Sequence, residues 1–194
     1  MIQSHLLISL PDWLSSWADQ YQPGPVQERM AFILRTAQEN INHHSGGPFA
    51  AGVFELESGR LVAVGVNLVP TLQLSILHAE IMAIALAQAR LKTYDLGALG
   101  LPAHELVTST EPCAMCFGAI PWSGVKRVVT GATSQDAIAI GFDEGPKPDA
   151  WVEALQSRGI SVIEAVQQAE AVAILQNYAR QGGEIYNARA AADL

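Results

Sequence analysis

Basic side chains are scarce in this chain: 11 Lys and Arg stand against 19 Asp and Glu, for a formal charge of −8. Non-specific affinity for nucleic acid comes mainly from clustered Lys and Arg, so the balance argues against a phosphate backbone as partner. Cysteine is scarcer still, with two in 194 residues. A disulfide between them would be a redox C-x-x-C, which is ordinarily embedded in a thioredoxin-like pattern. No apolar run approaches the ~18 residues of a membrane span. The opening residues, Met1-Ile2-Gln3-Ser4-His5, lack the basic stretch and small-residue cleavage site of a secretory signal, and the expected location is the cytoplasm. Charged residues are only 15% of the chain while hydrophobic ones are 49%, and mean hydropathy is +0.19. That composition describes a compact globule and excludes a disordered chain. The length suits one domain with a full core.

Two short motifs stand out against this background, His78-Ala79-Glu80 and Pro112-Cys113-Ala114-Met115-Cys116. One imidazole and two thiols supply three of the four ligands of tetrahedral zinc (Zn2+) and leave one position for water. Cys113 and Cys116, spaced i and i+3 on the first turn of a helix, share one face, and the helix dipole favours their thiolates. Glu80, two residues beyond His78, is poorly placed as a fourth ligand and better placed to move protons to and from the water. A structural zinc knot normally has four protein ligands. No fourth Cys or His lies close in sequence, and His43, His44 and His104 read as loop or strand-edge residues. H-x-E…P-C-x-x-C is the pattern of zinc-dependent nucleobase deaminases, which the chain resembles in these residues.

The remaining pattern predicts where these motifs sit. Residues 1–25 read as an N-terminal extension closed by Pro23-Gly24-Pro25, and 26–194 as a single domain. Val26, Met30, Ile33, Leu34, Ala37 and Ile41 recur at helical spacing. Phe49 to Phe54 and Leu61 to Val66 flank the turn pair Ser58-Gly59 as an antiparallel hairpin. A helix is expected over 76–91, a strand over 105–108, a second helix from Pro112, and a strand over 124–131. A short helix capped by Ser134 is expected to run to Ile140, followed by a strand over 160–163 and an amphipathic helix over 165–180. Strands alternating with helices after a hairpin predict an α/β fold, a three-layer α/β/α sandwich on a mixed five-stranded sheet. Catalytic groups then fall at helix N-termini along one edge of the sheet.

Beyond the zinc motifs, Gly46-Gly47-Pro48-Phe49-Ala50-Ala51, Asn67, Thr108 to Ala119, Trp122 and Gly141-Phe142-Asp143-Glu144 carry a wider likeness. Over roughly 26 to 187 the chain resembles the cytidine deaminase-like superfamily and, more narrowly, the bacterial guanine deaminases of that fold. The resemblance implies a catalytic pair, Glu80 and Glu144. It also implies a substrate pocket in which Phe49 stacks on a purine, Asn67 bonds the base through its amide, the backbone of Ala79 contributes, and Trp122 forms an apolar wall. Glu144 meets the purine N–H donors or relays a proton. Zinc held by His78, Cys113 and Cys116 carries hydroxide as nucleophile, and guanine becomes xanthine plus ammonia. A homodimer is implied, with a C-terminal segment that is often exchanged between protomers and can cover the neighbour's pocket; Tyr186, Asn187 and Arg189 fall near that end. Ala50 stands where relatives often have Gly, and Asp143-Glu144 where Asp-Asp is common.

Three other functions compete. Deamination of adenosine in tRNA shares the zinc core but needs a basic face. Cytosine or an aminotriazine fits a flat amino-heterocycle pocket. A structural zinc-binding module would make no use of Glu80.

Overall fold

The computed structural model describes residues 6–187. Five strands, β1 (Ala50–Glu55), β2 (Leu61–Val66), β3 (His104–Thr110), β4 (Arg127–Ala132) and β5 (Ser161–Ile163), form one sheet in the order β2-β1-β3-β4-β5. β1 pairs antiparallel with both β2 and β3, whereas β3, β4 and β5 run parallel. The sheet is therefore mixed, as the sequence pattern predicts.

Alternation along the central strands assigns the two faces. Val107 and Val129 join the cluster built on α2 (Val26–Asn42) and α8 (Gln168–Arg180), with Met30, Ile33 and Leu175. Their neighbours Leu106 and Val128 turn to the opposite face, against Ala83 of α4 (Ala79–Leu91), Ile120 of α5 (Ala114–Ser123) and Leu155 of α7 (Trp151–Gln156). Near the middle of the sheet, Glu105 is fully buried and held by Arg29 of α2 and by Arg127 at 2.6 Å. No helix among the described residues is long and apolar enough to cross a membrane.

Several boundaries differ from expectation for local reasons. α4 begins at Ala79 and not at 76, because His78 is extended (φ −69°, ψ 153°) and Leu77 is engaged with Leu68 and Leu74 through its backbone. α8 begins at Gln168 and not at 165, because Ala165 and Gln167 both take left-handed φ. The cap ahead of α6 (Ser134–Ile138) is Thr133, not Ser134, in a reciprocal box with Asp136. His104 is fully buried on a central strand with Nδ1 2.7 Å from the Leu96 carbonyl oxygen, so it is no strand-edge residue. Three helices were not anticipated, α1 (Asp12–Ala18), α3 (Val69–Leu72) and α7.

The described part of the segment before residue 26 packs onto the body of the protein. It carries α1, which buries Leu14 in the α2/α8 cluster. Trp13 donates to Ser45 Oγ at 2.9 Å, Trp17 to Thr36 Oγ1 at 2.9 Å, and Tyr21 to the Gly59 carbonyl at 3.0 Å.

One close approach places the site. A Cβ on Gly65 of β2 would lie 2.4 Å from Ala83 N and 2.5 Å from Ala79 O, both backbone atoms of α4. Helix and strand therefore touch where α4 starts, one residue after His78. Gly65→Ala is expected to lower stability by about 1–3 kcal/mol through overpacking, read as a lowered urea midpoint at unchanged m. An unchanged midpoint would show that α4 moves aside freely.

Candidate active site

The two motif-bearing helices begin side by side. His78 is the N-cap of α4 and Cys113 the N-cap of α5, each in extended backbone conformation, and each carbonyl opens its helix by accepting from the residue four ahead. Cys116 follows in the first turn of α5 and is fully buried. One ligand atom from each of His78, Cys113 and Cys116 lies within 4.8 Å of the others, and Cys113 Sγ is 3.5 Å from His78 Nδ1. Two positive helix ends thus converge where thiolate charge is wanted. The Cys113 thiol is pushed down to about 4, chiefly by a hydrogen bond from the Cys116 thiol and then by His78, while burial opposes. Cys116, as the donor of that pair, is pushed up. One deprotonated thiol beside an imidazole, all sheltered from water, is a donor set that fits zinc.

His78 and Cys113 face a cavity of about 450 Å³ that Phe49, Asn67, Thr108, Thr110, Glu80 and Glu144 also line, with Cys116 buried behind them. Glu80 is 6% exposed, and its carboxyl is pushed up to about 7, first by burial and then by the charge on Cys113. Glu144 rises likewise to about 7, by burial and then by Cys113 and Glu80, with Lys147 and Ser134 opposing. Asn67 is buried between β2 and α3. Its Oδ1 accepts from Val69 N at 3.1 Å, which leaves the amide nitrogen as the donor available to a ligand. Asn40 of α2 donates to the carbonyls of both Gly47 and Asn67, at 2.8 and 3.0 Å, and so ties the Phe49 loop to the Asn67 loop.

The aromatic lining extends further than the sequence analysis indicated. Phe142 meets Phe49 edge-on at 4.9 Å and Tyr186 at 5.0 Å. Tyr186 lines the cavity, and its buried hydroxyl finds no partner among the described residues. It packs over Gly47, where a Cβ would sit 2.1 Å from the phenol oxygen. The next residue, Asn187, accepts from Asp143 N at 2.9 Å and donates to the Gly141 carbonyl at 2.8 Å, fastening the tail to the loop that carries Glu144. Arg189 lies outside the described residues.

Two expected pocket residues lie elsewhere. Trp122 is 83% exposed near the end of α5 and does not wall the cavity. Ala79 is fully buried with its carbonyl against Gly65, and it is not among the cavity-lining residues. Of the residues sequence reasoning did not place in the pocket, Phe142 was within reach, since it stands in the same Gly-Phe-Asp-Glu run as Glu144. Thr108 and Thr110 sit at the end of β3, the natural mouth for a site that continues into α5.

Comparison with known proteins agrees with this geometry. Residues 25–132 match the family described as cytidine and deoxycytidylate deaminase zinc-binding region. A guanine deaminase of Bacillus subtilis (strain 168) is 41% identical over 108 residues, 56% of this chain and 65% of that protein. A solved structure of a guanine deaminase from Nitrosomonas europaea is 46% identical, covers 93% of this chain and 99% of its own, and superposes with a TM-score of 0.88. A tRNA-specific adenosine deaminase of Streptococcus pyogenes is 27% identical over 84% of this chain and 96% of its own length. The chain belongs to the cytidine and deoxycytidylate deaminase family.

Proposed function

We propose that this protein hydrolyses the exocyclic amino group of a free purine, converting guanine and water to xanthine and ammonia. The observation that carries the reading is one cavity that presents His78 and Cys113 of the His-Cys-Cys cluster, the buried carboxyl of Glu80, the half-buried carboxyl of Glu144 and one free amide donor to a single ligand. The similarity to guanine deaminases over nearly the whole chain supports it.

Zinc, when bound by His78, Cys113 and Cys116, supplies a Lewis acid that lowers the pKa of water toward ~7. The protein residues do the rest. Phe49 and Phe142 present apolar ring surface that holds a flat base and excludes water. Asn67 donates through its amide nitrogen to a purine acceptor, and the Glu144 carboxylate accepts from the N–H donors of the opposite edge. Glu80 takes the proton of the attacking water as its oxygen bonds C2, and passes that proton to a ring nitrogen. Glu80 then takes the remaining proton from the C2 hydroxyl and delivers it to the amine, so that the C2–N bond breaks, ammonia leaves and the C2 carbonyl of xanthine forms. One water is consumed and no redox partner is needed.

A cavity of this size encloses a free base, and the acidic balance of the chain disfavours a tRNA. The α5 segment 114–123 holds no charged residue, and its exposed face carries Met115, Gly118 and Trp122. On a chain of net charge −8, an uncharged face beside the cavity suits a second copy, so sedimentation is expected to show a homodimer and Trp122→Lys to shift it toward monomer.

The test of function is ammonia release by zinc-replete protein from guanine, adenine, cytosine and a tRNA anticodon stem, with products identified. Release from guanine with xanthine as product is expected. No release from guanine overturns the reading, and preference for the anticodon stem replaces it with the tRNA reading.

A further inference from the structure

Behind Glu144 lies a set of contacts that the proposed chemistry does not itself demand. Lys147, three residues on, buries its ammonium and donates to Ser134 Oγ at 2.6 Å and to Glu111 Oε2 at 3.0 Å. The same ammonium sits 4.7 Å from the centre of the Trp151 ring. Ser134 Oγ in turn lies 3.3 Å from Glu144 Oε2, and Ser134 N donates to Glu111 Oε2 at 3.2 Å, which closes the cluster.

The direction of these bonds follows from elementary donor counting. An ammonium has three donors and no lone pair, so Lys147 can only donate to Ser134. The single hydroxyl proton of Ser134 then points the other way, to Glu144 Oε2. That oxygen is committed as an acceptor from protein, and Oε1 is the one left for the cavity. A buried lysine is costly unless paired, and here Glu111 and the Trp151 ring satisfy it where the chain turns between Glu144 and α7.

We propose that Lys147 and Ser134 are positioning residues for Glu144: they fix the rotation of its carboxylate, so that one defined oxygen meets the N–H donors of the purine. This rests on the reading of Glu144 as a substrate contact. Neither residue touches the ligand: Lys147 acts through Ser134, and Ser134 through the Glu144 carboxylate.

The experiment compares kcat/KM for guanine in wild type, Ser134→Ala, Lys147→Met, Lys147→Arg and the Ser134→Ala/Lys147→Met double variant. Binding of xanthine is measured in parallel, with and without Glu144→Ala. Each removal is expected to lower kcat/KM about tenfold, the scale of one charge-assisted hydrogen bond. The double variant should lose no more than either single one, because both act along one path. Lys147→Arg should recover most of the loss. In the Glu144→Ala background, Ser134→Ala should leave the xanthine Kd within about twofold, since nothing remains to be positioned. A purely structural role would carry the loss into that background undiminished, and this result overturns the proposal. So does full kcat/KM in Ser134→Ala, which deletes one oxygen and serves as the test if Lys147→Met fails to fold. Wild type without turnover of guanine removes the functional reading and this inference together. An active wild type with unaffected variants removes the inference alone.

Discussion

Glu80→Gln is expected to lower kcat for guanine by on the order of 10²–10⁴-fold, the range for loss of a positioned general acid–base group. Glutamine keeps the shape and length of the side chain and still accepts and donates hydrogen bonds, but it cannot accept and release a proton at neutral pH. The carboxyl group is well suited to that exchange because burial, reinforced by the charge on Cys113, holds it near 7 and not in the ordinary carboxylate range. Among the described residues no ion pair anchors Glu80, and the substitution removes a buried ionisable group. Stability should therefore be unchanged or slightly raised, and metal content should stay at the wild-type value. The measurements are ammonia release under saturating guanine, zinc per protomer, and a thermal melt on the same preparation. A kcat within tenfold of wild type, with metal retained, would take the proton shuttle away from Glu80. Loss of metal together with activity would instead make Glu80 a ligand.

How far the site was legible in advance follows from what kind of constraint each residue obeys. His78, Cys113 and Cys116 are visible because a metal-type cluster restricts residue identity and uses the first turns of two helices. The structure brings one ligand atom from each within 4.8 Å of the others. Trp122 illustrates the opposite case. At ~100° per residue, it lies roughly 240° around α5 from Cys116, whereas Ile120 lies close to Cys116 and is fully buried. Helical phase alone would have turned Trp122 outward, and likeness of motif outweighed it. Lys147 could not be placed from pattern at all, and Tyr186 only by resemblance, against a neighbour's pocket. Tyr186 reaches the cavity because the tail after α8 folds back over Gly47, and Lys147 because an irregular loop turns under Glu144 into α7. Periodicity carries no information about such loops. For the sheet, the turn pair and the apolar strands gave the order of elements, but left-handed residues such as Ala165 and Gln167, which set helix starts, have no sequence signal of their own.

Stripping the metal is expected to abolish turnover and to lower the melting temperature without unfolding the chain at room temperature. Without a cation, the cavity gathers one thiolate at Cys113 and the carboxyl groups of Glu80 and Glu144 around a partly buried imidazole, and the carboxyl groups are pushed up first by burial and then by that crowding. A divalent ion there relieves the repulsion and joins the starts of α4 and α5, which the His78–Cys113 contact at 3.5 Å and side-chain packing within the second core cluster otherwise link. The larger cluster, formed by α2, α8 and the sheet, contains none of the three residues and should hold the fold together. This differs from a zinc finger, in which the metal supplies the fold itself. With metal at a thousand times its Kd, the lost stabilisation is about 4 kcal/mol, or roughly 10 °C in Tm for a chain of this size. Cys116→Ala supplies the control: its melt should already sit near that of the stripped wild type, and chelator should move it little. Re-addition of zinc should restore both Tm and ammonia release in wild type and neither in Cys116→Ala. A wild-type melt and turnover indifferent to chelator, with no metal found by elemental analysis, would refute the assignment. The Cys113–Cys116 pair would then have to be read as a thiol couple.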